Sequence, residues 1–177
     1  VLDWGIMKDV LRALIVLGCL LLIPITAVVT AATKQRMSDG AKAFFSGGPL
    51  VAGDLHTGPD PDWGFLDDVR TIELQLLDPP RSRRIWTTHH DGKLYVWSGY
   101  MSSAVGKIWK GWPGDAERDG RAVLRMGSKR FERQLRRITE GPELDGITAA
   151  ITSKYPSRIT RESVESGSSW LFEAAPR

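Results

Sequence analysis

The residues with the chemistry to ligate or catalyse are few: three histidines, one cysteine and a scatter of aspartates and serines. His89 and His90 are neighbours in a strand-like run, so their rings point to opposite faces and do not close easily on one metal ion. His56 stands far upstream, and Cys19 lies in an apolar stretch where it is most simply a small apolar side chain. Zinc needs ligands at a characteristic spacing that this chain lacks. Asp54, Asp60, Asp62, Asp67 and Asp68 are acidic enough to raise calcium, but without the loop spacing of a calcium site they read as a solvated acidic loop. The serines lack a G-x-S-x-G elbow, and the phosphate-cradling G-x-x-x-x-G-K motif is missing. A basic strip remains: Arg121, Arg125, Lys129, Arg130, Arg133, Arg136 and Arg137. With a net charge of only +3, nucleic acid is not the expected partner. Lipid headgroups or an acidic subunit are the nearer anions, and an ordinary solvated face stands equally beside them.

The elements that would position these residues begin with an apolar segment. Ala13–Thr33 (ALIVLGCLLLIPITAVVTAAT) holds 21 residues without a charge. As a helix it would span about 31 Å, close to the hydrocarbon thickness of a bilayer. Pro24 would kink such a helix without ending it. A cleavable signal peptide has a shorter apolar core, so 13–33 is expected to be a single transmembrane helix in the cell (inner) membrane, with a short tail at 1–12. Lys8 and Arg12 before the span nearly balance Lys34, Arg36 and Lys42 after it. A short basic tail before an apolar run has the form of an uncleaved signal anchor, which leans towards a soluble domain on the extracytoplasmic (periplasmic) side.

Charge is segregated in the rest of the chain. Residues 39–80 carry two basic and eight acidic side chains, whereas residues 81–137 carry fourteen and five. Mutual neutralisation in the fold is the commoner outcome of such blocks. Residues 34–68 form a juxtamembrane segment ending in a Gly/Pro/Asp-rich loop at 46–68, where Trp63 and Phe65 either pin the loop to the domain or present aromatic contacts to another subunit. From 69 to 177 the period becomes two. Val69 to Leu76 marks a strand ending at the Pro79-Pro80 breaker, followed by strands at Arg84–His90 and Lys93–Ser98 around an Asp91-Gly92 type I′ turn. Arg121–Met126 and Lys129–Ile138 pair across Gly127-Ser128, with a bulge expected near Phe131–Leu135, where alternation fails. Leu144–Tyr155 has helical spacing and stops at Pro156, and Trp170–Phe172 closes the sheet. The expected fold is mainly β, a six-stranded antiparallel split barrel with short helices, preceded by one transmembrane α-helix.

The run IWTTHHDGKLYVWSG, the Arg-rich GRAVLRMGSKRFERQLRRI, the helix ending SKYP and the final SSWLFEAAP resemble the FMN-binding split-barrel superfamily, on its deazaflavin-related side, over about residues 70–175. The resemblance implies a cofactor phosphate near the end of LYVWSG, with Ser98 as its hydroxyl donor and Lys107 as its charge partner. Thr87 and Thr88 would then face the isoalloxazine edge. The same residues have plainer roles: Ser98 as a helix cap, Lys107 as a solvated side chain. The chain also departs from the family. LDPPRSRR is short and carries two prolines, and Trp109 and Trp112 stand where relatives commonly show a basic residue and Asn-Leu. Those rings would either fill the flavin's space or stack on it.

Two functions follow. One is an accessory, non-catalytic subunit of a larger integral-membrane complex, of an energy-transducing kind (photosynthetic or respiratory, hence electron transport), with no cofactor. Its partners would be membrane subunits and lipid, met through Trp4, Leu14, Leu17, Leu21, Pro24, Trp63 and Phe65. The other is a membrane-bound FMN- or deazaflavin-dependent oxidoreductase, which the resemblance implies would be a homodimer.

Overall fold

The computed structural model describes residues 4–42, 45–99, 101, 111–157 and 159–177. Helix α1 runs over Trp4–Arg36 without a buried residue. Its 33 residues extend about 50 Å, longer than the charge-free segment because the polar tail joins the helix. Lys8 lies over the Trp4 ring, and Asp9 pairs with Arg12 one turn on. Lys34 and Arg36 complement the negative end of the helix dipole. The mean hydropathy of its most apolar stretch is 2.7, so α1 is long and apolar enough to cross a membrane.

The strands are β1 (Asp54–Leu55), β2 (Ile72–Leu77), β3 (Pro80–Ile85), β4 (Thr87–His90), β5 (Lys93–Ser98), β6 (Arg121–Met126), β7 (Lys129–Ile138) and β8 (Trp170–Pro176). They form one sheet in the order β3-β2-β6-β7-β8-β5-β4, antiparallel apart from β1, which runs parallel beside β7. Strands β3 and β4 sit at the two ends of this order, yet only Trp86 separates them in the chain. The ends must therefore approach one another, and the sheet curls into a half-barrel. The expected architecture stands, with eight strands rather than six. The run at Arg84–His90 is two strands, because the chain leaves β2 at Trp86 and continues against β5. Nor does Pro79-Pro80 end the sheet. It makes a tight β2–β3 turn, with Leu77 opposite Pro80 at the first position of an end strand, where the missing N–H costs least.

Asp91 (φ 47°) and Gly92 (φ 71°) both adopt the left-handed conformation that the β4–β5 turn requires. The β6–β7 register runs unbroken from Met126↔Lys129 to Arg121↔Gln134, so no bulge interrupts it. Alternation failed in the sequence for another reason. Phe131, Arg133 and Leu135 all face inward, and the middle one is an arginine that is 2% exposed.

Two cores flank the sheet. Leu74, Leu94, Val96, Leu124, Phe131 and Phe172 fill the curl, joined by Trp112 of α2 (Trp112–Arg118). Tyr95, Trp97 and Leu171 point outward and are covered by α3 (Leu144–Lys154) and α4 (Arg161–Glu165) through Leu144, Ile147, Ile151 and Val164. Having a core on each face explains why LYVW in β5 is continuously apolar. The Asp-rich loop is also structured: it contains β1 and a 3-10 helix at Trp63–Asp68.

Candidate functional site

Of the residues that the family resemblance implies for a cofactor phosphate and ring, Ser98, Thr87 and Thr88 are among the described ones. Ser98 ends β5 at 4% exposure, and its Oγ has no hydrogen-bond partner among the described residues. Pairing opposite Trp170 puts it towards the inner core, in step with Leu94 and Val96. Lys107 and Trp109 lie outside the described residues. Thr87 and Thr88 cannot share one ring edge. Adjacent strand residues point to opposite faces; Thr87 stands opposite Val96, and Thr88 opposite Tyr95 beneath α3. Both are essentially enclosed, and the Thr87 hydroxyl donates to the Tyr95 carbonyl at 3.1 Å. Trp112 is buried with its ring centroid 5.5 Å from that of Phe172, so it fills inner-core space.

The residues expected to meet membrane or partner divide in two. Trp4, Leu14, Leu17, Leu21 and Pro24 are exposed along α1. On the barrel, Phe65 is 49% exposed but Trp63 only 1%. Trp63 is thus the pin of its loop and has no face left for a partner. Its ring packs against Phe131 and beneath the Arg133 guanidinium, 5.2 Å from the ring centroid.

Charge blocks that look separate in the sequence are interleaved in space. Arg125 donates to Glu73 and to Asp39, both at 2.7 Å. Asp39 also accepts the backbone N–H groups of Val51 and Ala52, each at 3.0 Å. Burial would raise the Asp39 carboxyl, but those two N–H donors and the Arg125 guanidinium outweigh it and hold the pKa below its ordinary value. The segment following α1 is clamped further along the sheet. Gln75 accepts the N–H of Leu50, Gly47 exchanges backbone bonds with Ser82, and Ser82 Oγ donates to the Gly48 carbonyl. A Cβ on Gly47 would stand 1.8 Å from the Gly40 carbonyl oxygen, so only glycine allows this crossing. Arg133 makes two bonds to Asp60 at 2.6 and 3.0 Å.

A second cluster gave no sequence signal beyond its aromatic content. Trp86, at the β3–β4 switch, lies 6.2 Å from Trp97 and 6.0 Å from Tyr155 by ring centroids. The Tyr155 hydroxyl is within 2.9 Å of the Arg70 and Thr87 carbonyls, and Lys154 donates to the carbonyls of Leu66 and Thr87. Burial lowers the Lys154 pKa, opposed by Asp67 and Asp68. His89 bonds Asp67 at 3.0 Å, whereas His90 sits beside Asp91 and Gly146. These contacts join α3, β4 and the 3-10 helix. They satisfy backbone carbonyls where the chain passes from β3 to β4.

No protein family and no curated protein matches the sequence. Among solved structures, the chain is similar to the conserved hypothetical protein Rv2991 from Mycobacterium tuberculosis, with a TM-score of 0.44 and 17% identity over 64% of this chain and 76% of that one. The curled antiparallel sheet itself fits a split-barrel-like fold.

Proposed function

We propose that the protein is a single-pass, membrane-anchored accessory subunit of a larger integral-membrane complex, its barrel acting as a docking module. One observation carries this reading: α1 buries none of its residues, yet its C-terminal end is clamped to the barrel within three residues by Asp39. A tether needs no such clamp. A module that must present one face at a fixed height above a membrane does. The enclosure of Thr87 and Thr88 and the packing of Trp112 into the inner core favour a supporting role over flavin chemistry. In this reading the barrel lies on the extracytoplasmic side, and an energy-transducing complex is the kind of assembly envisaged.

A membrane-bound FMN or deazaflavin oxidoreductase is the second reading, favoured by the buried Ser98 hydroxyl, which has no partner among the described residues. In it the cofactor would supply the redox chemistry and the protein the binding and orientation. One experiment separates the two. The full chain is purified in mild detergent, its visible spectrum recorded, and its migration on native gels compared with that of a variant whose residues 13–33 are replaced by an unrelated apolar span. The accessory reading expects a protein that migrates with a membrane complex, is colourless on its own, and loses that migration on the helix exchange. Stoichiometric yellow absorbance released by heat, with migration as a dimer, would overturn it.

A further inference from the structure

We propose that the end of the barrel joined to α1 is seated on the bilayer itself, with Met37 and Val51 in the headgroup layer and Lys34, Arg36, Lys42 and Arg81 against anionic lipid phosphates. The proposal rests on α1 spanning the membrane and adds what the barrel does on arriving there.

The geometry leaves little freedom. The apolar segment ends at Thr33, and Met37 follows four residues later, about 6 Å further along if the helical rise continues. Asp39, three residues beyond the end of α1, holds the N–H of Val51. At full extension three residues span about 11 Å, so Val51 lies close beneath the helix end. Gly48 N–H donates to the Ser38 carbonyl at 2.8 Å, and Gln35 donates back to the Gly40 carbonyl, which removes the remaining slack. Whatever surface α1 enters, residues 37–42 and 45–51 must meet.

The side chains there suit that surface. Met37 is 84% exposed and Val51 68%, the most exposed large apolar residues of the described chain beside Ile23 of the span. Single exposed apolar residues are ordinary on a protein surface. These two flank the helix exit, with exposed Pro49 between them in the chain. Lys34, Arg36, Lys42 and Arg81 make no ion pair with any described residue. Arg81 precedes Ser82, whose hydroxyl donates to the Gly48 carbonyl, so it belongs to the same end. The carboxylates there, Asp39 and Glu73, are both taken by Arg125. Arg121, Arg133, Arg137 and Arg161, by contrast, each have an acidic partner within the fold. Cations left unpaired around bare apolar side chains, at a point that α1 delivers to the headgroups, match anionic lipid in charge and polarity.

The test uses the full chain with Cys19 replaced by Ala and a single NBD-labelled cysteine at Leu21→Cys, Val51→Cys or Asp91→Cys. Each protein is reconstituted into phosphatidylcholine vesicles with or without phosphatidylglycerol. The vesicles contain a nitroxide lipid quencher, either on the headgroup or at mid-chain. Headgroup nitroxide is expected to quench the Val51 probe at least about twofold more than the Asp91 probe at the β4–β5 turn. That excess should shrink without phosphatidylglycerol and in the Lys34→Gln, Arg36→Gln, Lys42→Gln, Arg81→Gln variant. Mid-chain nitroxide should quench Leu21, which checks the span separately. If Leu21 is quenched while Val51 behaves like Asp91, the seating is wrong and the span stands. If Leu21 is not quenched, both fall. Quenching at Val51 that ignores phosphatidylglycerol overturns the role given to the four cations.

Discussion

Replacing Asp60 by Ala should be among the most destabilising single changes outside the apolar core. The Arg133 side chain is 2% exposed and Asp60 24%, and two short charge-assisted bonds join them. Truncation leaves a guanidinium enclosed without its counter-charge. Breaking a buried ion pair from one side costs about 3–5 kcal/mol. Two features pull the figure to the lower end. The partly exposed position of Asp60 lets water approach, and Arg133 keeps the faces of Trp63 and Phe131, contacts of about 1 kcal/mol each. The expected loss is therefore about 3 kcal/mol, or roughly 10 °C in Tm for a domain of this size. The measurement is urea unfolding of the full chain in detergent, followed by tryptophan fluorescence, since Trp63 stacks against the affected group. The double variant Asp60→Ala/Arg133→Met removes the stranded charge and fills the space with an apolar side chain, so it should be more stable than Asp60→Ala alone. Asp60→Ala within about 0.5 kcal/mol of the parent, or a double variant no better than the single, would refute the reasoning.

Three further outcomes are expected. The folded pKa of Asp39 lies below its ordinary value of 3.8, so its contribution is complete above that value and is lost as pH falls through the folded pKa. Hydrogen exchange at the Val51 and Ala52 amides, corrected for intrinsic rates, should rise below pH 3.8 ahead of exchange in β5 and β7; simultaneous loss would contradict a local clamp. Gly47→Ala drives a methyl into the Gly40 carbonyl, so a loss of at least about 2 kcal/mol and faster proteolysis between residues 37 and 55 are expected, against no change if the crossing is loose. Ser98→Ala removes a buried hydroxyl that bonds nothing described, and should leave stability unchanged or raise it by about 1 kcal/mol. A purified parent that is yellow and a Ser98→Ala variant that is not would instead favour the oxidoreductase.

The periodic elements were legible in the sequence because their signals are local. The α3 stripe of Leu144, Ile147 and Ile151, the Asp91-Gly92 turn, and the β6–β7 pair each depend on residues a few positions apart. The break at Trp86 was not legible, since nothing in IWTTHH says that the strand must change partners there. Nor was Arg133, whose inward position breaks the apolar alternation of β7 without any bulge. The candidate cofactor residues show the limit most plainly. Thr87 and Thr88 match a motif as types, but the pleat sends them to opposite faces.

By itself the sequence determined that a charge-free 21-residue stretch leads into a twofold-periodic, turn-punctuated domain, because helix length, strand alternation and turn chemistry are properties of neighbouring residues. Tertiary structure alone decided which charges meet. Asp39 and Arg125 are 86 residues apart in the chain and 2.7 Å apart in space, a contact set by where the curled sheet carries β6 rather than by any motif around either residue. It also decided that the acidic loop is a fastening: Trp63 and Asp60 both close on Arg133, and a buried cation finds its partners only after the sheet has curled around it.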